Sequence, residues 1–250
     1  MRRDELVAYV NDYVRIHEFD DYGPQGLQVE GGDEVQKITL SVDAALPVLA
    51  AAVAAGAQFH LVHHGIFWDA PQLLNGPLGQ QVRTLIKADV SLYAVHLALD
   101  AHPEVGNNAV LARLLGIEVT DWWAKAKGNP VGMLGEAPAG LQFKEFLSRV
   151  NKVLGVQART AAHGPQSVKR IGIVSGGGAG QVGEAAALGI DTYLTGEATH
   201  THFWDAAAYG VNVIYAGHYA TETVGVKALG AHLAAKFGLK TEFLDFPTGL

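Results

Sequence analysis

The chain has no cysteine. Disulfides and thiolate metal sites are therefore excluded, and any metal has to sit on nitrogen and oxygen ligands. That suits Zn, Mn, Fe, Ni or Mg and disfavours iron–sulfur and Cu(I) chemistry. Positive charge is also in short supply: Lys and Arg total 18 against 25 Asp and Glu, a net charge of −7. No global basic field draws in nucleic acid, although a local patch can still form. Long hydrophobic runs are missing too. The longest stretch without a charged or polar side chain covers residues 44–57 and contains Pro47. It is too short for a bilayer span, which needs about 20 residues. Arg2 and Arg3 are followed by Asp4, Glu5, Asn11 and Asp12, which leaves no apolar core for an export signal. The expected location is cytoplasmic, with no membrane partner.

What is present is enough for a full core. The chain has 250 residues, of which 49% are hydrophobic and 17% charged. That allows one large domain or two smaller ones and rules out a disordered chain. Histidine is enriched at 11 residues, several of them in pairs, and this directs the search to metals.

Apolar residues at helical spacing predict a first helix over 4–16. Residues 37–42 predict a strand, followed by an alanine-rich helix that stops at Gly56. A second strand runs into His63-His64. A helix over 78–87, a strand over 91–95 ending at His96, and a helix over 107–115 follow. Residues 124–140 are rich in Gly, Pro and Ala and mark a lobe boundary. Strand–helix–strand over 131–160 precedes a renewed βα pattern, with strands at 170–174, 191–194 and 211–216. Helices are expected over 182–188 and 199–209, and a last one over 218–237. Such alternation implies βαβ units. The expected fold class is α/β, with two similar, interlinked lobes of mainly parallel strands facing a central cleft. Residues 1–125 form the N-terminal lobe and 126–250 the C-terminal lobe, able to behave as one intertwined unit. Ligands of such sheets bind at the carboxyl ends of the strands, where both His63-His64 and the His96-x-x-x-Asp100 element fall.

Each chemical signal is weak alone. An isolated His-His pair is more often structural than ligating. Past a strand end, turning into Gly65, His63 and His64 can instead point into one cavity and hold one metal each. His218 and Glu222, spaced i, i+4 on a predicted helix, share one face. Asp100 can bridge two ions. His96 either ligates or hydrogen-bonds to Asp100 from behind, and the second is favoured. Together, three imidazoles and two carboxylates suit one tetrahedral zinc poorly. They suit two metals about 3.5–4 Å apart, which lower the pKa of water towards ~7 for hydrolysis.

The run Gly178-x-Gly180-x-x-Gly183 matches a dinucleotide fingerprint, with Glu197 placed as the ribose-binding acid. The turn is more open than that fingerprint, so an NAD or NADP oxidoreductase is a minor reading. The alternative keeps Gly176, Gly177 and Gly178 as an anion site at a helix N-terminus. His200 and His202 either line the cleft or sit on a helix start. Trp68, Trp122 and Trp123 read as core or subunit-contact residues.

The motifs together resemble one family, the GTP cyclohydrolase I type 2 homologues, also called NIF-three-like proteins. The matching pieces are YGPQGLQVEG at 22–31, LVHHGIFW at 61–68, HLALDAHPEVGNN at 96–108, SGGGAG at 175–180, LTGE at 194–197 and AGHYATE at 216–222. The resemblance implies a two-lobed α/β fold and two divalent ions per chain (Zn, Mn, Fe or Ni), held by His63, His64, Asp100, His218 and Glu222. It also implies a toroidal homohexamer, a trimer of dimers. The family name implies opening of a purine ring. The expected function is therefore a dinuclear-metal-dependent hydrolase, in which metal-bound water attacks a purine nucleotide or a related phosphorylated compound. His96 or Glu197 would move protons. The alternative is a ring-shaped metal-binding protein for single-stranded nucleic acid or a protein partner, the former disfavoured by the net charge.

Overall fold

Apolar residues one helical turn apart make α1 (Arg3–Tyr13) amphipathic, and it buries Leu6 and Val10. The computed structural model describes residues 1–68 and 71–250. After α1 come β1 (Gly26–Val29), β2 (Lys37–Asp43), α2 (Leu46–Ala54), β3 (Phe59–His64), α3 (Gly76–Lys87), β4 (Ser91–Ala94) and the single turn α4 (Leu97–Asp100). Then follow α5 (Asn107–Leu115), β5 (Glu118–Ala126), β6 (Asn129–Glu136), α6 (Phe143–Leu154), β7 (Arg159–Ala162), β8 (Arg170–Val174), α7 (Val182–Ala187) and β9 (Thr192–Thr195). The chain ends with α8 (Asp205–Tyr209), β10 (Asn212–Tyr215), α9 (His218–Phe237) and β11 (Lys240–Phe243). The architecture is mixed α/β. Among the described residues, no helix is long and apolar enough to cross a membrane.

The chain divides into two units. The first comprises Met1–Gly106 and Gly225–Phe246, the second Asn107–Val224 and Pro247–Leu250. This differs from a split at residues 125 and 126, and strand pairing gives the reason. The late strand β11 pairs in parallel with β2, so the end of the chain returns to the first sheet. Residues 118–126 do not close the first lobe: β5 forms a hairpin with β6 in the second sheet. The Gly- and Pro-rich stretch at 124–140 thus contains strand. Gly132 and Gly135 serve close packing there, because a Cβ at Gly132 would lie 2.7 Å from Val174 Cγ2 and one at Gly135 2.6 Å from Glu118 O.

In the first unit the strand order is β1-β4-β3-β2-β11. All neighbours are parallel except the edge strand β1. Parallel strands are covered on both faces, and β2 and β3 are accordingly buried nearly throughout. One face packs Ile38, Leu40, Phe59 and Leu61 against Leu6, Val10, Leu229 and Leu233. The other packs Val62 and Leu92 with Leu49 and Leu85. Fully burying such a side chain contributes about 1.5–3 kcal/mol.

In the second unit the order is β5-β6-β8-β9-β10-β7. Here the expectation of a mainly parallel sheet is corrected. Only β8–β9 and β9–β10 are parallel, whereas β5–β6, β6–β8 and β10–β7 are antiparallel. A hairpin needs only a short turn, and Lys127-Gly128 supplies it with two positive φ angles, of 47° and 88°. The expected helix over 199–209 is a 3₁₀ turn at His200–His202 followed by the short α8.

Candidate metal centre

In the first unit, β3 carries His63 and His64 to its carboxyl end beside β2 and β4. His63 is fully buried. Its Nδ1 lies 3.0 Å from the Val95 carbonyl oxygen. A carbonyl only accepts, so Nδ1 carries the proton and Nε2 is the nitrogen able to ligate. Asp100 Oδ2 lies 3.7 Å from that Nε2. Asp43, the last residue of β2 and the register partner of His64, accepts from His64 Nδ1 at 2.8 Å. His96 follows β4, and its Nδ1 donates to Asp21 Oδ1 at 2.7 Å. The three rings cluster, with centroids 4.8 Å apart for His63–His64, 5.0 Å for His63–His96 and 5.5 Å for His64–His96. One ring nitrogen of each lies within 4.8 Å of the others, a grouping that could hold a metal ion.

The expected His96–Asp100 pair is replaced. His96 turns to Asp21, and Asp100 lies near His63. Asp21 belongs to a loop that sequence reasoning left without a role. Its side chain is 3% exposed, and Oδ2 accepts from Leu97 N–H at 2.9 Å. Burial pushes the Asp21 carboxyl up, but the bond from His96 and the N–H groups of Leu97 and Tyr22 outweigh it and hold the group below its ordinary value. Gln25 Oε1 accepts from the His96 and Ala98 N–H groups, and Gln28 Oε1 accepts from Ile66 N–H. Gly65 leaves room for that contact, since a Cβ there would collide with the Gln28 amide. Residues 21–28 thus fasten the two segments that carry the histidines. Asp43 had a readable signal, its place at a strand end beside His64. Asp21 had none beyond lying next to the YGPQGLQ motif. Trp68, expected in the core or a subunit contact, stands edge-on to His96 at 5.3 Å and is a wall of this cluster.

In the second unit, His218 opens α9 and Glu222 lies one turn on, both on one face. His218 Nε2 is 3.0 Å from Glu222 Oε1. His218 Nδ1 is 2.6 Å from Glu197 Oε1, at the carboxyl end of β9. Burial works against protonation of His218, but bonding and charge from Glu222, and then Glu197, raise its pKa to about 9. Glu197 holds His218 at Nδ1, and Glu222 meets it at Nε2.

The glycine-rich turn makes room for this pair. Gly176 has φ of 63°, and a Cβ there would collide with Glu222 Oε1 and lie 3.0 Å from His218 Nε2. The Gly176 N–H donates to Thr221 Oγ1 at 3.0 Å and the Gly178 N–H to Thr195 Oγ1 at 3.1 Å. An anion at Gly176, Gly177 and Gly178 would find those two donors already engaged. His202 bonds Asp205 at 3.0 Å through Nδ1, and His200 is exposed on the same short turn.

Four histidines therefore share one device: each ties Nδ1 to a carbonyl or a carboxylate. This outer bond is what orients metal-bound imidazoles and raises their basicity. The surrounding donors are carboxylate oxygens, with no thiolate. Space at Gly176 is kept for Glu222 and His218. The residues of both units fit divalent metal.

The family model described as Duf34/NIF3 (NGG1p interacting factor 3) matches residues 1–248. The GTP cyclohydrolase 1 type 2 homolog of Deinococcus radiodurans is 46% identical over 248 residues, 99% of this chain and 94% of that one. The protein of the same name from Pyrococcus horikoshii is 42% identical over 253 residues, covering both chains in full. Among solved structures, TTHA1606 from Thermus thermophilus matches with a TM-score of 0.90 at 42% identity, over 100% of both chains.

Proposed function

The chain belongs to the Duf34/NIF3 family, and from that membership we propose that it is a dinuclear-metal-dependent hydrolase acting on a purine nucleotide or a related phosphorylated compound. The observation that carries this reading is the common anchoring of His63, His64, His96 and His218 through Nδ1. In the proposal His63, His64, Asp100, His218 and Glu222 together hold two divalent ions. Five ligands exceed what one tetrahedral zinc takes and leave positions open when shared between two ions. When bound, such ions supply Lewis acidity and lower the pKa of water to near neutrality.

The chain's own groups have separate tasks. Val95, Asp43 and Glu197 orient His63, His64 and His218. His96, held at Nδ1 by Asp21, moves a proton at Nε2. The choice of a purine nucleotide follows the names of the relatives, and the proposed assembly is the homohexamer of the family resemblance.

Two measurements test the reading. Elemental analysis of the purified chain is expected to give two ions per chain. A result near zero, with no uptake on reconstitution, overturns the metal centre. Incubation of metal-loaded protein with GTP, followed by mass spectrometry, is expected to show metal-dependent ring opening. No turnover removes GTP as the substrate and leaves hydrolysis of another phosphorylated compound to be tested.

A further inference from the structure

The second unit contains a cavity of about 480 Å³. It opens past the carboxyl ends of the parallel strands β9 and β10, where Gly196, Glu197 and Gly217 form part of its wall. This is where open α/β sheets receive ligands. The volume is within the range of small-molecule sites and well above the size of a lone inorganic ion.

Two polar side chains of the wall have work left to do. Arg159 is exposed, and among the described residues it forms no ion pair. It is the one Lys or Arg in the described wall. Tyr215 is 4% exposed, and its hydroxyl is buried without a hydrogen-bond partner among the described residues. A buried hydroxyl with no partner costs about 1–3 kcal/mol, so it calls for water or a ligand. Arg159 and Tyr215 are direct partners across the antiparallel β7–β10 pair. Cross-strand partners leave the sheet on the same face, which sets the guanidinium stem beside the phenol. Two nearby side-chain acids are engaged, Glu197 by His218 and Asp205 by His202, and the main-chain oxygen of Leu250 in the wall accepts from Tyr219 N–H at 3.4 Å.

We propose that this cavity binds the oxyanion group, phosphoryl or carboxylate, of a small molecule, with Arg159 as its cation and the Tyr215 hydroxyl as a second donor. A guanidinium matches both oxyanions with paired N–H bonds. Only the step of calling this molecule the substrate rests on the metal-centre reading. Glu197 makes that link, because it lines the cavity and holds His218. The anion site itself needs no metal.

The test uses the full chain stripped of metal with a chelator, titrated calorimetrically with inorganic phosphate and, separately, with citrate. Arg159→Ala is compared with Arg83→Ala, which removes the same charge from an exposed position in the first unit. Arg159→Ala is expected to weaken binding about tenfold or more, close to 1.4 kcal/mol, and Arg83→Ala to leave it unchanged. Whichever anion binds more tightly identifies the oxyanion. No binding of either anion to the unaltered chain, or a loss in Arg159→Ala no greater than in Arg83→Ala, overturns the proposal. If phosphate binds through Arg159 while the chain takes up no metal, the metal centre fails and the anion site stands.

Discussion

His63, His64 and His96 take their anchors from Val95, Asp43 and Asp21, three segments of the first unit. His218 and Glu222 of the second unit share one helical turn; His218 takes one anchor, from Glu197, and the pair also needs space, left by Gly176 and by Gly196, where a Cβ would come within 2.8 Å of His218 Cα. The first donor set is thus built by attachment, and the second adds clearance to its one attachment. A set built by attachment is broken by removing a bond, whereas a set built by clearance is broken by adding an atom.

Acidity should separate the two most strongly. His60 on β3 is fully buried between the hydroxyls of Thr39 and Ser41, and burial lowers its pKa to about 4 despite the Thr39 bond. The unfolded chain binds a proton near the ordinary value of 6.5 and the folded chain does not. Stability from neutral His60 is therefore complete above pH 6.5 and is lost as pH falls through 4, a change of about 3 kcal/mol. Denaturant unfolding at pH 7 and pH 4 is expected to show this slope in the unaltered chain and a flatter one in His60→Gln. Equal slopes would remove His60 as the cause. His218 has the opposite sign. With metal absent its raised pKa stabilises the second unit below pH 6.5, and that contribution disappears as pH rises through about 9. Hydrogen exchange of α9 at pH 6 and pH 10 reads it, and no alkaline loss would contradict the assignment.

Gly176→Ala tests clearance. An alanine held at φ of 63° costs about 1–3 kcal/mol, and its Cβ displaces Glu222. The expected outcome is a lower unfolding temperature together with loss of bound metal. Retention of two ions per chain at unchanged affinity would show that clearance at Gly176 is not needed.

Asp43→Asn tests attachment and should have the smallest effect. The amide preserves shape but gives His64 a weaker acceptor. Loss of such an outer partner typically costs about 10- to 100-fold in metal affinity. Competition with a chromogenic chelator measures it. Unchanged affinity would show that His64 needs no carboxylate behind it.

The helices and parallel strands were legible because their patterning is local. The helix from His218 to Phe237 begins and ends where its spacing and the following Gly238 place it. His218 and Glu222 were legible as a pair for the same reason, since i, i+4 on a helix fixes their shared face. The hairpin β5–β6 was hidden by glycines and a proline that read as a boundary. Those glycines answer to neighbours far along the chain, Val174 among them. The pairing of β11 with β2 joins residues about two hundred positions apart, and no local pattern encodes it.

By itself, then, the sequence determined the absence of thiolate chemistry, the α/β class, the family and the residue types able to hold metal. Tertiary structure alone decided what stands behind two of the histidines: Asp21 rather than Asp100 behind His96, and Glu197 behind His218. It also gave the glycine-rich turn its role, as room for Glu222. The physical reason is one of range. Helical and strand spacing act over a few residues, whereas a hydrogen bond or a steric clearance depends on which distant segments the folded backbone brings together.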